Sequence, residues 1–128
     1  MPYDVAKLTI RGMLDRVVGT KEIWTAAIAG RPNPGDGDAS IEGLCARLES
    51  AGPEFVEIVR GIRDRDEWDT SFVDALCEPA QTFSFGGMLA HVLTFSAYRR
   101  QALVSPMRAI GVDDVGTGDP FEWERSLA

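Results

Sequence analysis

The chain carries one histidine, His91, in the run Met88-Leu-Ala-His-Val-Leu-Thr-Phe-Ser-Ala-Tyr-Arg-Arg-Gln101. At about 100° per residue on a helix, this run lines up Phe85, Met88, Val92, Phe95, Arg99 and Leu103 on one stripe. Arg99 is the charged member of an otherwise apolar set. A guanidinium in a core-facing stripe needs a partner or a purpose, because burying an uncompensated charge is costly. His91 lies at the edge of that stripe beside Tyr98, so titratable and hydrogen-bonding groups gather around Arg99.

Counting strikes out most other chemistry. One histidine excludes a His-rich metal centre and an H-E-x-x-H pair. There is no C-x-x-C, no G-x-x-x-x-G-K and no G-x-G-x-x-G. A Cys-His-acid triad is formally open to Cys45 or Cys77 with His91. Cys45, however, flanks an apolar stripe and reads as inert core. Cys77 is a loop cysteine with no neighbouring cation to activate it. Gly86-Gly87 relieves crowding at a helix start better than it cradles phosphate. Trp24, Trp68 and Trp123 read as packing residues.

The 128 residues suffice for one domain with its own core, and 45% hydrophobic with 26% charged residues is ordinary for a globular chain. A net charge of −7 argues against nucleic acid and against an anionic membrane surface. The start Met-Pro-Tyr-Asp-Val-Ala-Lys lacks a basic segment followed by an apolar one, so no secretory signal is expected. No apolar run is long enough for a membrane span. Two cysteines make no disulfide framework, and a cytoplasmic location is expected.

Three long helices must position the Arg99 region, giving an all-α, up-and-down bundle near Thr9–Ala29, Ser40–Arg65 and Ser84–Ile110. In the first, Ile10, Met13, Leu14, Val17, Val18, Trp24 and Ile28 recur at helical spacing. Thr9 supplies an N-cap and Gly30 a stop. The second has the stripe Ile41, Leu44, Leu48, Phe55, Val59 and Ile62, with Cys45 and Val56 at its margins. Its phase is unbroken across Pro53, which predicts one bent helix and not two. Residues 67–82 read as an extended loop with a short β-like pair. Ser84 caps the third helix, and Pro106 falls in its last turns. The tail from Gly116 to Trp123 reads as loop with at most one helical turn after Pro120.

The stretch Leu89–Gln101 resembles the last helix of the DinB-like superfamily, in which two metal-ligand histidines stand at i and i+4. Thr9-Ile-Arg-Gly-Met-Leu-Asp-Arg16-Val-Val-Gly-Thr-Lys-Glu-Ile-Trp24 is similar to the helix carrying the third ligand. Gly118-Asp-Pro-Phe-Glu-Trp123 resembles a closing motif of some members. The resemblance implies a four-helix-bundle relative. Known members include divalent-metal proteins and thiol-dependent transferases and isomerases, such as mycothiol-dependent maleylpyruvate isomerase. The positions matching the three ligands are Arg16, Phe95 and Arg99, two cations and a phenyl ring, which do not ligate a metal dication. The first helix usual in the superfamily also has no counterpart ahead of Thr9.

Three readings follow. Arg16 and Arg99 converge on the former metal cleft and bind a small carboxylate or phosphate, with His91, Phe95 and Tyr98 beside them. Alternatively, both arginines pair internally with acids such as Glu22, Asp15 or Glu42, and the domain is a structural or dimerising bundle. The third is a metal-free enzyme of transferase or isomerase type, acting on a thiol conjugate or small carboxylate; no catalytic residue stands out for it. No metal and no cofactor are expected. A homodimer is expected, because three amphipathic helices without a fourth leave an apolar groove. Trp68, Phe121 and Trp123 are candidates to help cover it.

Overall fold

The computed structural model describes residues 9–74 and 78–128. Cys77 and the segment before Thr9 lie outside the described residues. The chain forms α1 (Ile10–Ala29), α2 (Ile41–Asp64), β1 (Ser71–Asp74), β2 (Gln81–Ser84), α3 (Phe85–Ala109) and α4 (Pro120–Ser126). It is a mainly helical bundle of three long helices, as the periodicity predicts.

Each long helix starts where a hydroxyl can accept from an otherwise orphaned amide. Gly12 N donates to Thr9, Gly43 N to Ser40 and Gly87 N to Ser84. At the end of α1, Gly30 adopts φ 70° and its N–H reaches the Ala26 and Ala27 carbonyls, a left-handed cap that glycine adopts without strain. Pro53 lies inside α2, which is one continuous helix, and Pro106 lies inside α3.

The connection between α1 and α2 is a long return. Residues 30–39, extended at about 3.3 Å each, span roughly the 30 Å length of α1. The contacts place α2 alongside α1 in the same direction. Arg47, early in α2, meets Asp15 and Glu22. Glu54 further on meets Arg31 at 2.7 Å, and Trp24 and Ile28 pack against the core cluster that holds Ile62. Near the start of α3, His91 meets Trp24, while Lys21, earlier in α1, lies beside Arg99 and Arg100. Thus α3 runs against α1, and the order is up, up, down, a departure from strict alternation.

The 67–82 segment holds the antiparallel hairpin β1–β2, with Phe72 opposite Phe83. It packs its aromatic rings on the end of α1: Trp24 meets Phe72 and Phe83 edge-on, each at 6.4 Å, and Phe72 stacks on Phe85 at 5.3 Å. Gly86 is needed there, since a Cβ would stand 3.1 Å from the Trp68 carbonyl oxygen. Trp68 itself is half-buried against the core of Ile62, Met88 and Val92.

Burial corrects two expected stripes. On α3 the buried line is Met88, Val92, Ser96 and Leu103, whereas Phe95 is 42% exposed and Arg99 half-buried. A stripe of step three or four passes through either 95 or 96, and it is the small Ser96 that is buried. On α2, Leu44, Ala51 and Ile62 are buried, but Ile41, Leu48 and Val56 are exposed, so only one half of the apolar arc faces the bundle. Cys45 is exposed with that outer half and is not core. The tail also exceeds expectation. Asp119 accepts from Phe121 N and Pro120 opens the helix, and α4 extends over seven residues, about two turns. Phe121 and Trp123 are exposed on it.

Candidate functional site

The α1–α3 contact assembles an aromatic and cationic cluster. On α1, Val17, Lys21, Trp24 and Ile28 share a face by their spacing. On α3, His91, Phe95 and Tyr98 fall on one flank, with Arg99 next to them. The His91 imidazole lies 5.3 Å from the Trp24 ring and 4.5 Å from Phe95. The Arg99 guanidinium carbon lies 5.7 Å from the centre of the Phe95 ring, within cation–π range. Tyr98 stands at the rim, 60% exposed.

Electrostatics mark the same place. Lys21 is half-buried, and its ammonium donates to the Val17 carbonyl at 3.4 Å. Burial, followed by the neighbouring Arg100 and Arg99 charges, lowers its pKa from the ordinary lysine value. Burial and Arg99 likewise lower the pKa of His91. Cations of α1 and α3 thus act on one another along this face.

Of the residues expected at the site, the structure brings together His91, Phe95 and Arg99, with Tyr98 at the edge. Arg16 lines a different surface, a cavity of about 360 Å³ with Thr20, Asp36 and Arg47 among its walls. Arg16 and Lys21 are five residues apart and project about 140° apart on α1. Lys21 is thus the α1 cation set against Arg99 and Arg100. The signal for it was the one that exposed Arg99: a long cation placed at helical spacing among Val17, Trp24 and Ile28.

Two of the acids offered as partners for the arginines, Asp15 and Glu22, are held by Arg47. Arg47 donates through Nη1 to Asp15 at 2.8 Å and to the Asp38 carbonyl at 3.0 Å. Its Nε and Nη2 both donate to Glu22 Oε1, at 3.0 and 2.5 Å. The side chain is only 14% exposed, and these acids raise its pKa above the ordinary arginine value. The clamp ties α2 to α1 and to the return loop.

Near Arg100, the tail folds back on α3. Gln101 donates to the Thr117 carbonyl, and Glu122 accepts from Thr117 N and its hydroxyl, which lowers the Glu122 pKa. This loop and α3 enclose neighbouring cavities of about 510 and 380 Å³, both lined by Arg100. Among the described residues, no three His, Cys, Asp or Glu side chains cluster to hold a metal ion, and no helix is long and apolar enough to cross a membrane.

No family model, curated protein or solved structure matches this chain.

Proposed function

We propose that the chain is a metal-independent, DinB-like helical-bundle protein that binds a small anionic ligand at the α1–α3 face. The observation that carries this reading is the half-buried Lys21 ammonium within electrostatic reach of Arg99 and Arg100, with Arg99 also acting on His91. Burial and the Arg100 and Arg99 charges disfavour the Lys21 ammonium, and a carboxylate or phosphate bound there would offset that through charge-assisted hydrogen bonds. The rings of Trp24, His91 and Phe95 offer an apolar wall to the ligand's carbon skeleton. Phe95 and Arg99, at positions where the resembling superfamily has metal ligands, then serve as wall and anion fork. Binding suits these groups better than catalysis: His91 and Tyr98 can exchange protons, but Cys45 is exposed on α2, away from them. A reducing cytoplasmic setting accords with that free thiol.

The single histidine makes the test clean. Its imidazole proton resonance, followed through a pH titration with and without phosphate or succinate, reports the site alone. Anion binding raises the His91 pKa, and Lys21→Met removes the effect. A His91 titration curve unchanged by millimolar anion would refute the reading.

A further inference from the structure

On α2, the apolar residues left outside the bundle form a second, continuous stripe. Ile41, Cys45, Leu48 and Val56, with the half-buried Gly52 and Val59, recur at steps of three and four and fall within about 80° of one another on the helix. Ile41 is 54%, Leu48 41% and Val56 44% exposed, and Cys45 is exposed with them. Scattered exposed apolar residues are normal, but an aligned row over five turns marks a contact surface.

The exposed area says how much covering is needed. A compact monomer of 14.0 kDa exposes about 6,700 Å², whereas this chain exposes 8574 Å². The open 30–39 loop and α4 account for part of the difference. An ordinary interface takes about 800 Å² from each partner, so part of that roughly 1,900 Å² excess is enough to build one.

Two features favour a second copy, in antiparallel register, over an unrelated partner. The stripe is nearly symmetric about Gly52, so that a two-fold axis there sets Leu48 against Val56 of the other copy and Cys45 against Val59. Its flanks carry opposite charges under the same operation: Glu42 and Glu49 border the N-terminal half, while Arg60 and Arg63, which also pair with Glu57 and Asp64 of their own helix, border the C-terminal half. At the crossing point, Gly52 has nothing within 4 Å of where a Cβ would be. Glycine eases the step into Pro53, yet in the single chain that open space would accept a larger residue. A helix from a second copy crossing there would fill it.

We propose that the protein is an isologous homodimer in which two α2 helices pack antiparallel across Gly52, burying the stripe from Ile41 to Val59. This covers the outer face of α2 and leaves the α1–α3 cluster open to a ligand. The aromatic residues Phe121 and Trp123 of the tail take no part in it.

Sedimentation at tens of micromolar tests the assembly and two substitutions test the face. The wild-type chain should sediment at twice 14.0 kDa. Leu48→Glu with Val56→Glu should sediment as a monomer with unchanged helical circular dichroism, since both side chains are already exposed. Leu93→Glu, on α3, should remain dimeric. A monomeric wild type, or a dimer that survives the double substitution, would overturn the proposal. A second measurement does not depend on the charged variant folding. In a Cys77→Ser chain carrying Val59→Cys, mild oxidation should link Cys45 of one copy to the new thiol of the other. Absence of that cross-linked species from the native protein would overturn the register.

Discussion

Replacing Arg47 by methionine keeps most of the side-chain volume and helix propensity while removing one charge from a three-way clamp. The guanidinium is 14% exposed, Glu22 21% and Asp15 42%. Breaking a buried ion pair costs about 3–5 kcal/mol, while exposed pairs contribute only about 0–1. The Glu22 bond sits near the buried limit, and the Asp15 bond must be discounted for solvent screening. The loss should therefore be about 2–3 kcal/mol, because Glu22 is left partly desolvated beside Asp15 with no cation between them. With a urea dependence of roughly 1–2 kcal/mol per molar, the midpoint should fall by about 1–2 M at constant slope. The raised Arg47 pKa means the clamp is fully charged below the ordinary arginine range, so the loss should be the same at pH 6 and pH 9. Adding Glu22→Gln to Arg47→Met should recover part of the stability, since the stranded charge is then gone. A midpoint change below about 0.3 M, or a double variant less stable than Arg47→Met alone, would refute the reasoning.

Lys21, His91 and Ile62 each carry a consequence of known sign. Lys21→Met should leave stability unchanged or raise it at pH 7, because the folded-state pKa of Lys21 is lowered: its protonation favours the unfolded chain below the ordinary lysine value. Thermal melts with and without phosphate check this, and the variant should lose the anion-dependent rise in Tm. The lowered pKa of His91 makes the unfolded chain the better proton acceptor, so stability should fall as pH drops from about 6.5 until the folded imidazole is also charged. His91→Phe should flatten that part of the stability–pH curve, and an unchanged slope would exclude His91 as its source. Ile62→Ala, at the fully buried centre of the core (1% exposed), should cost about 2–5 kcal/mol by chemical denaturation.

The helices were legible because their signals are local. A hydroxyl three residues ahead of an amide, a glycine at a left-handed cap and an apolar step of three or four are all readable within one turn. What sequence left ambiguous was angle. Phe95 and Ser96 differ by one residue, about 100°, and which of them faces α1 depends on a neighbour more than 60 residues away in the chain. The same ambiguity placed Ile41, Leu48 and Val56 with the core, when α2 is apolar over a wider arc than one neighbour can cover. Ion pairing is less local still. Sequence offers Asp15, Glu22 and Glu42 as partners for Arg16 and Arg99, whereas Asp15 and Glu22 meet Arg47, which reaches both because the 30–39 return sets α2 parallel to α1. An antiparallel hairpin of the same two helices would have put the C-terminal half of α2 beside Asp15. Cations on a stripe are therefore readable as out of place, while their partners are not. That is why Arg99 was found and paired with Arg16, when Lys21, carrying the same signature one turn further along α1, is its neighbour. A wide apolar arc is also how a helix can serve two interfaces: the half of α2 around Leu44 and Ile62 holds the chain together, which leaves the half around Leu48 and Val56 free for a second copy.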